Sequence, residues 1–352
     1  MKPVRLDLAG IYPALITPFA ADGGVSVANM KHNIGLYNKT ALRGYVVLGS
    51  TGESVLLRSK EMDEILAAVK ESAAAGKALI AGTGAESTAE TIERTKRAAA
   101  LGYDVALVKT PYYYKPSYNE QVLIAHYRRV ADESPIPVML YSVPIFTGLA
   151  LEAPEIAAMA EHPNIIGIKD SSGNVQRVSE TIAQTPLEFQ VLVGSAPTVY
   201  PCLAIGARGA ILALASALPE KCASLYQLVR DRQLDAAREL QVVLLRASKR
   251  IVSEMGIAGI KHVMDLRGYR GGNPRLPLQP LTAEQKTRLA AFLPAVEQAE
   301  MAQAERHKFG PFDETFSTGY HLTAHGLSRP RVPPATSPAK VIPSVFRQFL
   351  SC

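Results

Sequence analysis

Eight short apolar runs, each followed by a longer amphipathic stretch, fill the chain from residue 10 to about 220. The runs are Ile11–Ile16, Gly44–Leu48, Ala78–Ala81, Val105–Val108, Pro137–Leu140, Ile165–Ile168, Val191–Val193 and Ala210–Leu214. They are largely β-branched and nearly continuous rather than alternating. A strand with one wet face alternates; a strand covered on both faces does not. The runs therefore read as parallel strands buried between helices.

The stretches between them carry helix signals. Ser87 with Glu90 forms a capping box before Thr91–Leu101, and Gly102 suits the stop. Ser117 with Glu120 is expected to cap Gln121–Ala131, and Ser59 to cap Glu61–Ala75. Pro154 suits a first helical turn. Eight strands alternating with helices predict a (β/α)8 TIM barrel. The competing architecture, an open doubly wound sheet, wants a Gly-rich dinucleotide fingerprint after an early strand, and none is present.

Three regions follow. Residues 1–220 form the barrel and hold the active site. Residues 221–304 keep helical periodicity without strands (Leu225–Val229, Ala236–Ser248, Gly259–Leu266, Ala283–Met301) and predict a C-terminal helical appendage. Residues 305–352 lose that period, hold five of the nine phenylalanines, and place five prolines within Arg329–Pro343. That composition predicts a mostly disordered tail.

Charge and cysteine usage narrow the function classes. The net charge is +6, and the last 48 residues, with six basic and three acidic side chains, supply half of it. The basic character is partly a tail property and argues weakly for nucleic acid, so no nucleic-acid partner is expected. Arg267–Gly272 is Arg-Gly-rich, but a single copy after a predicted helix reads as a turn. No uncharged apolar run approaches the ~18–20 residues of a membrane helix, so no membrane partner is expected. Lys2 and Arg5 before Leu8–Ala20 imitate a secretion signal, yet Asp7, Pro13 and Pro18 interrupt it, and an opening strand is the expectation. Cys202, Cys222 and Cys352 fit no zinc spacing and cannot all pair, which suits buried thiols in a reducing, cytoplasmic compartment. The histidines are scattered, so no metal site is expected.

A TIM barrel places its chemistry at the C-terminal ends of the strands. Lys169 closes the run Ile165–Ile168. Burial disfavours the charged form of a lysine, and a neutral amine attacks ketones to form a Schiff base. The bland alternative is a lysine paired with Asp170. Tyr141 closes Pro137–Leu140; a phenol there either shuttles protons or bridges the barrel rim to water. Ser50 and Thr51 lie between Gly49 and Gly52, in a loop able to aim N–H groups and hydroxyls at a carboxylate. It lacks the Gly-Lys-Ser/Thr ending of a P-loop, which excludes that nucleotide motif. Glu53 reads as support for the turn.

Together these loops resemble a known family. Gly49-Ser-Thr-Gly-Glu53, Thr110-Pro-Tyr-Tyr113, Tyr141-Ser-Val-Pro144 and Gly167-Ile-Lys-Asp-Ser-Ser-Gly173 are similar to the signatures of the dihydrodipicolinate synthase/N-acetylneuraminate lyase superfamily. The resemblance spans about residues 8–300. It implies a class I, Schiff-base carbon–carbon lyase acting through pyruvate, without metal or organic cofactor, and usually a tetramer built from tight dimers. It assigns the imine to Lys169, the proton shuttle to Tyr141, and a relay to Thr51 and to Tyr113, which reaches into the neighbouring subunit. Ser50, Thr51, Ser171, Gly194 and Ile211 are implied as the pyruvate and carboxylate pocket.

Within the superfamily, several stretches look closest to 4-hydroxy-2-oxoglutarate aldolase, among them Val130–Pro137, Leu140–Pro144, His162–Ile165, Phe189–Ser195 and Gly256–Lys261. That likeness implies cleavage to pyruvate and glyoxylate. The alternative is a 4-hydroxy-tetrahydrodipicolinate synthase, which condenses pyruvate with aspartate semialdehyde. Such synthases typically carry Ser-Arg-Thr-Gly where this chain has Ile145-Phe146-Thr147-Gly148, and Phe146 offers no ionic contact to a carboxylate. A sugar-acid aldolase is the third reading, with Phe146 facing a longer substrate. A non-catalytic binder on the same scaffold is disfavoured by the intact Lys169, Tyr141 and Tyr113.

Overall fold

In the computed structural model the chain divides into two units, Met1–Ala304 and Glu305–Cys352. The structure describes residues 6–299, all within the first unit. The tail expected to be disordered lies outside the described residues, as does Cys352.

Eight parallel strands form the barrel: β1 Gly10–Pro13, β2 Gly44–Val47, β3 Ala78–Gly82, β4 Val105–Lys109, β5 Val138–Ser142, β6 Ile165–Asp170, β7 Gln190–Val193 and β8 Gly209–Leu212. Their order is β1-β8-β7-β6-β5-β4-β3-β2. The remaining seam, β1 against β2, is joined by Arg43 N–H donating to Ile11 O (2.9 Å) and Leu15 N–H donating to Val46 O (2.9 Å). The parallel Ala14–Val46 bridge adds to it.

Both strand faces are dry, as the continuous apolar runs require. Val46, Ile80, Val105, Leu107, Met139, Leu192 and Ile211 fill the barrel interior with Tyr12 and Tyr141. The opposite faces, including Val47, Ala81, Val108, Leu140 and Ile168, pack beneath the helices. A register shift at Val138/Met139 brings Gly167 opposite Met139 and Lys169 opposite Tyr141.

The helices keep the predicted order with shifted caps. Ser87 does cap Thr88–Ala100, its Oγ accepting from Glu90 N–H at 3.1 Å. The next helix, Glu120–Glu133, is capped by Asn119. The expected cap Ser117 instead ends a short 3-10 turn, Lys115–Ser117. Helix Ser59–Ser72 is capped at Arg58 rather than by Ser59, which is its first helical residue; Glu61 takes the Arg58 N–H at 2.8 Å. Strand β1 stops at Pro13, three residues before the predicted end, because Ala14 and Leu15 turn to meet β2. Helices Pro219–Arg230, Leu234–Ala247, Gly256–Leu266 and Ala283–Gln298 follow the barrel.

Two features set aside from sequence behave as ordinary structure. Arg267 is tied to Glu220 (3.0 Å) and Glu297 (3.1 Å), and the Asp265 carboxylate accepts from the Gly271 and Gly272 amides. The Arg-Gly segment is therefore a pinned turn. Cys202 and Cys222 are buried free thiols, and burial pushes them up to about 11 and about 12. No helix among the described residues is long and apolar enough to cross a membrane.

Candidate active site

Strands β4, β5 and β6 carry three polar residues at one level near their C-terminal ends. Lys109 is opposite Tyr141, and Tyr141 is opposite Lys169. Alternation points all three into the barrel, since Leu107 and Met139 one step below belong to the interior core.

Lys169 is 4% exposed and Tyr141 5%. The Lys169 Nζ lies over the Tyr141 ring, 4.2 Å from its centroid. The neighbouring carboxylate does not neutralise it. Asp170 Oδ1 accepts from Ser172 N–H (2.8 Å) and from the Ser172 hydroxyl (2.5 Å). Asp170 Oδ2 faces the Arg177 guanidinium at 3.5 Å. No acidic side chain among the described residues pairs with Lys169. The Tyr141 hydroxyl meets Ser50 Oγ at 3.3 Å.

Ser50 is held by a strained loop. Leu48 (φ 59°) and Glu53 (φ 56°) both sit in the left-handed region that disfavours side chains, and between them Ser50–Gly52 forms one 3-10 turn. Three anchors hold it. Thr17 Oγ1 donates to Gly52 O at 2.6 Å. Glu53 Oε1 meets Lys261 Nζ at 2.7 Å, with both side chains fully buried. Glu53 Oε2 accepts from Arg275 N–H at 2.8 Å. Glu53 thus supports the turn, as the sequence suggested. Burial pulls the Lys261 ammonium below its ordinary value, while Glu53 opposes that shift.

Ser171 and Gly194 also meet. A Cβ on Gly194 would come 1.8 Å from Ser171 Oγ, so only glycine admits that side chain. Gly194 N–H donates to Asp170 O at 2.6 Å, bridging the ends of β6 and β7. Ile211 is fully buried in the interior core on β8.

A cavity of about 320 Å³ opens beside Tyr141. Its wall includes Gly49, Ser50, Tyr112, Val143, Phe146 and Leu278. Lys169 is not on that wall; it lies against the Tyr141 ring. Phe146 is 65% exposed at the rim. Thr51 stands in the 3-10 turn beside Ser50, but the hydroxyl in contact with Tyr141 is that of Ser50. Tyr113 is 73% exposed, with its ring edge-on to Tyr114 at 5.0 Å. It is not among the groups gathered at Tyr141 within one chain.

Sequence reasoning missed Lys109 and the buried Glu53–Lys261 pair. Lys109 closes an apolar run just as Lys169 does, and that signal was available. Its Nζ stands 3.3 Å from Glu86 Oε1 and 4.5 Å from the centre of the Tyr112 ring. Glu86 Oε2 accepts from the Tyr112 and Tyr113 amides, each at 2.9 Å. Burial alone would push the Glu86 carboxyl up; those amides and Lys109 outweigh it and hold the group below its ordinary range.

A buried lysine against a phenol at the C-terminal mouth of a (β/α)8 barrel fits the class of Schiff-base carbon–carbon lyases. The chain belongs to the dihydrodipicolinate synthetase family, whose model matches residues 7–296. It is 37% identical over 289 residues to a 4-hydroxy-tetrahydrodipicolinate synthase of Exiguobacterium sp., covering 82% of this chain and 97% of the relative. A synthase of the same name from Listeria monocytogenes is 34% identical over 290 residues (82% and 98% covered). Among solved structures, the 4-hydroxy-tetrahydrodipicolinate synthase of Methylacidiphilum fumariolicum SolV superposes with a TM-score of 0.79 at 28% identity, covering 84% of this chain and 97% of that one. An E. coli K12 prophage protein of the dihydrodipicolinic acid synthase family, in complex with pyruvate, superposes with a TM-score of 0.78 at 28% identity (82% and 99% covered).

Proposed function

We propose that Lys169 forms a Schiff base with C2 of pyruvate and that the enzyme makes or breaks a bond at the pyruvate methyl carbon. The Lys169–Tyr141–Ser50 contact sequence carries this reading. The amine adds to the ketone, and loss of water leaves a protonated imine. That imine acidifies C3, whose proton leaves to give an enamine. The enamine adds to an aldehyde in synthesis; in cleavage the same steps run backwards. Tyr141 is the proton carrier, since its hydroxyl both donates and accepts. Ser50 orients that hydroxyl at 3.3 Å. Ser171, Gly194 and the loop carrying Ser50 and Thr51 hold the pyruvate carboxylate, and Ile211 closes the floor.

The favoured reaction is condensation with aspartate semialdehyde, the chemistry that the names of the two relatives imply. Cleavage of 4-hydroxy-2-oxoglutarate to pyruvate and glyoxylate is the second reading. One observation favours it: Phe146 stands at the cavity rim where an arginine would meet the carboxylate of aspartate semialdehyde. Purified protein supplied with each substrate separates the two. Consumption of pyruvate that depends on aspartate semialdehyde supports the synthase; release of pyruvate from 4-hydroxy-2-oxoglutarate supports the aldolase.

The exposed Tyr113 suits a role in a neighbouring subunit's site, and a homotetramer is the assembly proposed with it. The buried free thiols suit a reducing cytoplasm.

A further inference from the structure

The cavity beside Tyr141 is largely apolar, and its wall holds two charged residues, Glu53 and Lys109. Glu53 is fully engaged by Lys261 and the Arg275 amide. Lys109 is thus the one cation on the wall among the described residues. Its side chain is 15% exposed.

Its bond to Glu86 is loose. The separation is 3.3 Å, whereas strong N⁺–H···O⁻ bonds run about 2.7–2.9 Å. Glu86 already takes two amide N–H groups on its other oxygen. An ammonium has three donors, and the Glu86 bond uses one. Besides the Tyr112 ring, no further partner of the Lys109 ammonium is present among the described residues, so its remaining donors can meet an anion in the cavity.

Position matters as much as charge. Neighbouring strands lie roughly 4.8 Å apart, so Lys109 and Lys169, on strands flanking β5 and level with Tyr141, are rooted roughly 10 Å apart. Tyr141 stands between them, its ring against the Lys169 amine and its side chain on the cavity wall with Lys109.

We propose that Lys109 determines substrate choice: its ammonium holds the carboxylate of the incoming aldehyde, opposite the Lys169 imine. The inference rests on the Schiff-base reading above. It makes the second substrate a short aldehyde bearing a carboxylate, rather than a neutral or polyhydroxylated one. It also supplies the charge that Phe146 lacks.

The test compares matched aldehydes, glyoxylate against acetaldehyde and succinate semialdehyde against butanal, with pyruvate as donor. Wild type, Lys109→Met, Lys109→Arg and Glu86→Gln are compared, with thermal melts to confirm folding. Lys109→Met is expected to raise KM for the carboxylate-bearing member of each pair roughly ten- to hundredfold. It should leave the neutral member and borohydride trapping of pyruvate unchanged. Lys109→Arg should restore most of the preference. If Lys109→Met lowers both members equally, or matches Glu86→Gln throughout, Lys109 only braces the Tyr112–Tyr113 loop and the proposal is overturned. If both Lys109 variants fail to fold, Glu86→Gln decides: freeing Lys109 should strengthen the preference for the carboxylate, and an unchanged preference overturns the proposal. If wild type traps no pyruvate, the Schiff-base reading itself fails, and this inference goes with it.

Discussion

Glu53 and Lys261 meet at 2.7 Å with both side chains fully removed from solvent, joining the loop after β2 to the helix Gly256–Leu266. Lys261 also donates to Asn273 O at 2.9 Å and stands 4.4 Å from the Phe19 ring centre. Glu53 itself ends the 3-10 turn Ser50–Gly52 that carries Ser50. The ion pair thus ties down a residue whose backbone sits in the left-handed region, at φ 56°.

Removing one partner strands the other charge in the interior, which typically costs about 3–5 kcal/mol. Glu53→Gln and Lys261→Met should each lower stability by that order. The double variant should lose less than their sum, because the pair is coupled. Urea denaturation of the four proteins checks this. Strict additivity would mean the two groups act independently.

Ser50→Ala removes the hydroxyl that meets Tyr141 and leaves Lys169 untouched. The kcat should fall roughly 10- to 100-fold while pyruvate is still trapped as an imine. Thr51→Val should have the smaller effect within one chain, since among the described residues the hydroxyl bonded to the phenol is that of Ser50. A larger loss in Thr51→Val would move the relay from Ser50 to Thr51.

Tyr113 tests assembly. If it completes a neighbour's site, then Tyr113→Ala and Lys169→Ala should each be inactive alone. Mixed and reassembled, they should regain activity, because some sites then combine an intact Lys169 with an intact Tyr113 from the other chain. A mixture that stays inactive while mixed oligomers form would remove Tyr113 from the partner's site.

Glu61 and Arg275 predict an acid response. The two hydrogen bonds from Arg275, at 2.6 and 2.8 Å, lead the causes that hold the Glu61 carboxyl at about 2, below its ordinary 4.5. A depressed carboxyl contributes stability that is complete above the unfolded value and disappears as pH falls through the folded one. The stability gap between wild type and Glu61→Gln should therefore narrow as pH falls from 4.5 toward 2. Denaturation midpoints across that range measure it. A gap that does not change with pH would show that Arg275 holds Glu61 only weakly.

The barrel was legible because its strands are buried on both faces. Such strands appear as unbroken apolar runs, and the residue closing each run marks the chemical end of the barrel. Lys169 and Tyr141 were found that way. Cap positions were less legible, because Ser117 and Asn119 are both competent caps and only the packed helix shows which one meets an amide. Glu53 was legible as a support of the Ser50 loop, but its partners Lys261 and Arg275 were not. Glu53 and Arg275 are 222 positions apart, and no local pattern links a loop glutamate to a backbone amide so distant. Lys109 was overlooked for another reason. A lysine closing an apolar run is as readily a surface charge at a strand end, and only the fold sets Lys109 on the cavity wall.

The most direct test of the central claim is to locate the imine. The protein is treated with pyruvate and borohydride, digested, and mapped by mass spectrometry. Lys169, Lys109 and Lys261 are the candidate lysines in or near the site, and the account predicts stable reductive labelling of Lys169 alone, lost in Lys169→Ala. Labelling of Lys109 instead, or undiminished labelling in Lys169→Ala, would contradict it.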